Sequence, residues 1–275
     1  NYFLNRKDGL EIKFYNYHGI KSLKYYNNGN LKKVRTYWEN NIIRSRETFE
    51  KGKLNGECKY WNNSGNLIVK TEFRDDKIHG RYIRYNIHGS IINDYYLNNG
   101  KLEGTQLSYY DNGNLHQKFT YLRGILNGNF ETYYNTGLIK SKGSYKYNFL
   151  DGNIEHYYPN SNKKYICYYT MGILDKELKE YYESGIPASI WNYNNGLLHG
   201  ITLIWDQFGD LSSLYHMEND KIVLYKKWNN NLLLEEFVNN KYMFSYSKFH
   251  NNVIVESRFA YHNTIDYEHE NVAYV

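Results

Sequence analysis

Six glycines, Gly65, Gly89, Gly113, Gly137, Gly185 and Gly209, fall on one 24-residue register, and Ser161 occupies its single vacant slot. A second register runs beside it through Gly56, Gly80, Gly104, Gly128, Gly152 and Gly200, with Lys176 in the gap. A fixed period of this size marks small supersecondary units that stack on their neighbours because none can bury its apolar face alone. At 275 residues the chain has the length of one or two ordinary domains. The period argues instead for one continuous array, in which equivalent residues recur along the chain rather than converge on one pocket.

The clearest unit runs from Gly100 through Leu102 and Gly104 to Tyr109-Tyr110, then Asn112-Gly113, Leu115, Phe119 and Tyr121. Asn-Gly between two β-prone runs predicts a two-residue type I′ turn, which requires positive φ at both central positions. Gly124 to Gly128 then forms the return connection, so each cycle is one antiparallel hairpin. The second strand alternates. Leu67, Thr71 and Phe73, then Ile91, Tyr95 and Leu97, then Leu115, Phe119 and Tyr121 share one face, with polar residues between them. The first strand places an aromatic residue at a fixed point: Trp61, Tyr85, Tyr109, Tyr133, Tyr157, Tyr181 and Trp205. Stacked units should align these rings into a ladder that packs along the sheet.

That ladder accounts for the most unusual feature of the composition, 33 Tyr beside 12 Phe, 5 Trp and only 3 Met. Mean hydropathy is low at −0.78, and Asn is abundant, a bias that can mark disorder. Here Asn and Gly occupy turn positions and Tyr occupies strand positions, which favours a folded β array. Net charge is +5 with the charges interspersed, so the denser cationic cluster of a dedicated nucleic-acid binder is not expected. Cys58 and Cys167 lie several units apart, beyond disulfide reach in a linear array. This leans towards a reducing, intracellular compartment. No signal peptide and no transmembrane-length apolar run is visible.

Lys70, Lys118, Lys140, Lys142 and Lys164 share the wet face of successive second strands, a candidate anion or lipid-headgroup surface. Against that, Glu131 is expected opposite Lys142, and Asp94 interrupts the stripe. The histidines, among them His18, His79, His88, His116, His156, His199 and His216, lack ligand spacing, and metal needs convergent donors. No nucleophile elbow, P-loop or dinucleotide fingerprint is present. Neither a cofactor nor an enzymatic activity is expected.

The run Tyr109-Tyr110-Asp-Asn-Gly113-Asn-Leu115, followed by Tyr121-Leu-Arg-Gly124-Ile-Leu126-Asn-Gly128, resembles MORN repeats. It is closest to the variant class common in bacterial and giant-virus proteins, some bacterial members of which are described as antitoxins. The resemblance covers residues 9–215. It implies an all-β fold, an elongated single array of antiparallel hairpins forming a twisted sheet, and it brings no catalytic residues. Three regions are expected: drifted repeats over 1–50, regular repeats over 51–215, and a degenerate repeat with a cap over 216–275. Pro159, Ser161, Lys176 and Pro187 cluster in two adjacent repeats, where a kink or a ligand-facing irregularity is expected. The function the resemblance implies is a non-enzymatic scaffold for a protein partner or a second copy of the chain. The alternatives are a module binding phospholipid headgroups or glycan, and antitoxin-like neutralisation of a partner.

Overall fold

The computed structural model describes residues 2–3, 6–16, 19–239, 243–251, 253–261 and 273–274; His18 and residues 262–272 and 275 of the cap expected over 216–275 lie outside them. The chain is all-β, with no helix among the described residues. It forms two compact units, residues 1–138 and 139–275. In the first, antiparallel pairing proceeds hairpin by hairpin from Gly9–Phe14 to Ile125–Tyr133. In the second it runs from Ile139–Lys146 to Val253–Tyr261, with Ala273–Tyr274 added at the end. Strands pair with their neighbours in sequence, so each unit is an open hairpin ladder.

The glycine registers do different work from that expected. At Asn112-Gly113 only Gly113 takes positive φ, +87°. Its amide donates to Tyr110 O at 2.9 Å, and the Tyr110 amide donates to Asn114 O at 2.9 Å. This is a type I turn followed by a left-handed glycine, a three-residue loop rather than a type I′ turn. Asn112 is used otherwise: its Oδ1 accepts from the Asn114 amide (3.0 Å) and its Nδ2 donates to Asn135 O (2.7 Å). The type I′ turns sit at the opposite ends of the strands, where both residues have positive φ, as at Asn99-Gly100 (+50°, +80°). Asp75-Asp76, Tyr147-Asn148 and Asn219-Asp220 adopt the same conformation without glycine. Positions 52, 76, 100, 124, 148, 172, 196 and 220 thus form a third 24-residue register, with glycine at 52, 100, 124, 172 and 196 and Asp or Asn at the others.

The second glycine register marks a bulge. Leu126 lies opposite Tyr121 and Phe130 opposite Phe119, so residues 127–129 face Thr120 alone, and Gly128 absorbs the excess at φ +117°. Gly56, Gly104 and Gly152 lie opposite Phe73, Tyr121 and Tyr169 in the register.

The expected kink around 159–187 is absent. Ser161 takes φ +70° and donates to Tyr158 O at 2.9 Å, and Lys176 takes φ +61° at the bulge. Pro159 occupies the second position of a type I turn, where its fixed φ fits, and Pro187 opens a strand opposite Tyr181, as Leu115 does opposite Tyr109. The departures in sequence are therefore absorbed by positions that tolerate them.

Successive hairpins are also tied at both rows of turns. The second residue of the type I′ turn donates back along the chain, as in Gly124 N to Leu102 O and Gly172 N to Leu150 O, each 2.7 Å. At the other row, the hydroxyls of Tyr110, Tyr158 and Tyr182 donate to Tyr133 O, Tyr181 O and Trp205 O at 2.7 to 2.9 Å. Trp38 Nε1 does the same to Trp61 O at 3.1 Å. Tyr158→Phe keeps the ring and removes one tie. It should destabilise the protein by about 1 kcal/mol in chemical denaturation, and an unchanged midpoint would show that the tie is idle.

The core is a line of opposed side chains down one face. In the first unit Thr71 lies between Cys58 and Tyr82, Tyr82 stacks on Tyr95 (centroids 6.3 Å apart), and Phe119 stacks on Phe130 (5.6 Å). In the second unit Ile154 faces Cys167, and Thr202 faces Tyr215, whose ring lies 4.8 Å from that of Tyr225. The Thr202 hydroxyl is buried, with the residue only 1% exposed, and has no hydrogen-bond partner. Since an unpaired buried hydroxyl is unfavourable, Thr202→Val should stabilise the protein by about 1 kcal/mol in urea titration. A loss of stability would mean that the hydroxyl is satisfied.

Candidate interaction face

In each unit the opposite face of the ladder carries the charges. Each strand contributes alternate residues to it, so cross-strand partners line up in columns. Lys70 lies 2.9 Å and Lys59 2.6 Å from Glu57. Hydrogen bonds from these two ammonium groups hold the Glu57 carboxyl below the ordinary carboxylate range. Arg81 pairs with Asp94 at 2.6 Å, and Lys118 with Glu131 at 3.1 Å. In the second unit Lys142 and Lys163 both approach Glu155, at 3.5 and 3.7 Å. The Tyr157 hydroxyl, which donates to Glu155, is the first cause of that carboxyl's lowered pKa, and the two lysines add to it. Lys164 stands 5.7 Å from the Tyr158 ring. Lys140 and Lys164 act together on His156, whose pKa is lowered first by burial and then by these two charges.

The ladder rings expected from sequence share this face with the charges. Tyr133 donates to Glu131 at 2.7 Å, and its phenol is pushed up to about 12 by burial and then by that carboxylate. Trp61 lies under the Arg46 guanidinium at 5.3 Å, and Tyr157 lies near Lys142 at 5.7 Å. Ring-on-ring stacking is seen on the core face instead, at Tyr82–Tyr95, Phe119–Phe130 and Tyr215–Tyr225.

One part of the face was missed in sequence. Arg35 lies directly opposite Arg46, Arg46 opposite Lys59, and Lys59 opposite Lys70, four cations in one column. Lys33 and Arg44 join them two residues along their strands, and Lys33, Arg35, Arg44 and Arg46 are all exposed. Among the described residues, none of these four has a carboxylate within 4.0 Å. The signal was present as period-two pairs, Lys33/Arg35 and Arg44/Arg46. It was hidden because spacing drifts here: the type I′ glycines Gly29 and Gly52 are 23 residues apart, not 24.

Among the described residues no group of acidic, histidine or cysteine side chains is arranged to hold a metal ion, and no helix is long and apolar enough to cross a membrane. Both thiols are free and buried, and burial pushes Cys167 up to about 11.

Among solved structures, the chain is similar to the TcdB2-TccC3 crystal structure at 10% identity and TM-score 0.21, covering 88% of this chain and 17% of that one. It is similar at 12% identity and TM-score 0.20 to the Photorhabdus luminescens Tc holotoxin pore with a mutant TccC3, covering 87% and 15%. The chain thus spans about a sixth of the length of these structures. No curated protein matches it. Residues 54–75, 102–122 and 174–195 match the MORN repeat variant. Their first residues are 48 and 72 apart, two and three turns of the 24-residue cycle. Each match spans the first strand, the three-residue loop and the second strand of one unit, so three of the units carry the MORN variant repeat pattern.

Proposed function

We propose that the chain is a non-catalytic scaffold that holds a protein partner on its charged and aromatic face. MORN repeats are in general protein- or membrane-interaction modules, and the choice of a protein partner is the inference. The observation that carries it is the repetition of one half-exposed surface from hairpin to hairpin, in which charges and rings recur in columns at strand spacing. Such a surface suits an extended contact with another chain. The lysines at 70, 118 and 142 are already occupied by Glu57, Glu131 and Glu155, which reduces the charge they offer to a lipid headgroup.

The test is affinity capture from the source cell with the intact array as bait, followed by cross-linking mass spectrometry. A stoichiometric protein cross-linked to this face supports the scaffold. Flotation of the protein with phosphatidylserine vesicles, lost in the Lys118→Glu/Lys142→Glu variant and without any captured protein, would replace it with the lipid reading.

A further inference from the structure

Charge compensation is common on this face, with Lys164, over the Tyr158 ring, an exception, and among the described residues it is missing throughout the strands Asn30–Tyr37 and Ile43–Glu50. From Glu57 onwards Lys59, Lys70, Arg81, Lys118, Lys142 and Lys179 each have a carboxylate within 3.5 Å. Before it, Lys33, Arg35, Arg44 and Arg46 have none, although Arg35 and Arg46 face each other directly across the ladder. Like charges in direct opposition are destabilising, so the opposition itself gives the fold nothing, and the contact shown beside it is Arg46 over the Trp61 ring at 5.3 Å. The neighbouring acids lie at the margins. Glu57 is engaged by Lys59 and Lys70, Glu39 shares a surface recess with Arg44 at the turn, and Glu47 points to the core face opposite Val34.

We propose that this patch is the docking site for an extended acidic segment of a partner protein, an inference that rests on the scaffold reading and names the partner's chemistry. Cations two residues apart along a strand repeat at about 7 Å, the spacing of alternate side chains in a second extended chain. The two arginines opposed across the ladder suit carboxylates, because the guanidinium fork binds them through two parallel hydrogen bonds. The column continues from Arg35 to Leu23 and Ile12, and a recess of about 310 Å³ lies between Leu10, Leu23, Tyr25, Lys33 and Arg35. An apolar pocket beside a cationic row fits a peptide with an aliphatic or aromatic residue next to its acids.

The test uses the full chain and a short fluorescein-labelled peptide that alternates Glu with Thr and ends in Leu, followed by anisotropy at about 50 mM salt, where screening is modest. The wild-type protein should bind it. Arg35→Gln/Arg46→Gln should weaken binding at least about tenfold, while Lys118→Gln, in the compensated region, should not. The thermal midpoint of the double variant should stay level, because the repulsion removed offsets the lost contact of Arg46 with the Trp61 ring. Undiminished binding by the double variant, or a lowered midpoint that makes the arginines structural, would overturn the proposal. So would tighter binding of single-stranded oligothymidylate or of phosphatidylserine vesicles than of the peptide. If the peptide fails but wild-type and double-variant baits still capture the same protein, the scaffold stands and only this docking site falls.

Discussion

Replacing Gly128 by Val should destabilise the protein by more than about 3 kcal/mol, while Gly113→Val should lose about half as much. The two glycines look equivalent in sequence, each on its own 24-residue register, but they face different constraints. A Cβ on Gly128 would meet Thr120 Cβ and Cγ2 at 3.1 Å, and its φ of +117° is hostile to any branched side chain. Thr120 is held in place, its hydroxyl donating to Asn129 O at 3.0 Å, so it cannot easily withdraw. Gly113 has open space around its missing side chain and only its φ of +87° to defend. Asn41 fills the equivalent slot at φ +61°, so Gly113→Asn should be nearly silent. Urea titrations of the three variants, followed by far-ultraviolet circular dichroism, give the ranking. Equal losses at 113 and 128 would refute the distinction between turn and bulge.

That distinction shows where sequence reasoning reached and where it stopped. The hairpin array was legible because period two inside strands and period 24 between them agree, and both survive single-residue departures such as Ser161 and Lys176. The turn types were not. Asn-Gly in a β-rich chain predicts type I′, but it could not be known from Asn112-Gly113 that the asparagine side chain would bridge to Asn135 O and so favour the longer loop. The true type I′ positions include Asp75-Asp76 and Tyr147-Asn148, where left-handed conformations are imposed by pairing on both sides rather than invited by glycine. Tertiary context decided those residues, and composition could not.

The candidate face divides in the same way. Glu131 was expected opposite Lys142; the structure ion-pairs it with Lys118, and Lys142 meets Glu155 instead. The opposition of Arg35 and Arg46 depends on cross-strand register in the drifted N-terminal hairpins, which a 24-residue template does not supply. Trp61 and Tyr109 end their strands, but the sequence did not say which face such rings take. That is settled by bulges such as the one between Ser108 and Tyr109, which shift the ring relative to its strand.

Ile154→Ala should open the second unit locally and expose Cys167. Ile154 is 2% exposed and lies opposite Cys167, itself 3% exposed. Truncating it removes three methylene-sized groups from a single line of core contacts that has little else to relax into the gap, a loss of about 3 kcal/mol. Burial pushes the Cys167 thiol up to about 11, and Cys58 is raised chiefly for the same reason, so both should label slowly with a thiol reagent in the native state. If labelling waits on opening, the loss at Ile154 should speed Cys167 by about a hundredfold. Cys58, in the first unit, provides the internal reference. In a repeat protein, stability is a sum of unit terms and nearest-neighbour terms, so damage at one hairpin should decay along the ladder. Cys58 should therefore keep its wild-type rate. Equal acceleration of both thiols would show instead that the chain opens as one cooperative block. An unchanged Cys167 would show that Ile154 does not hold the line at all.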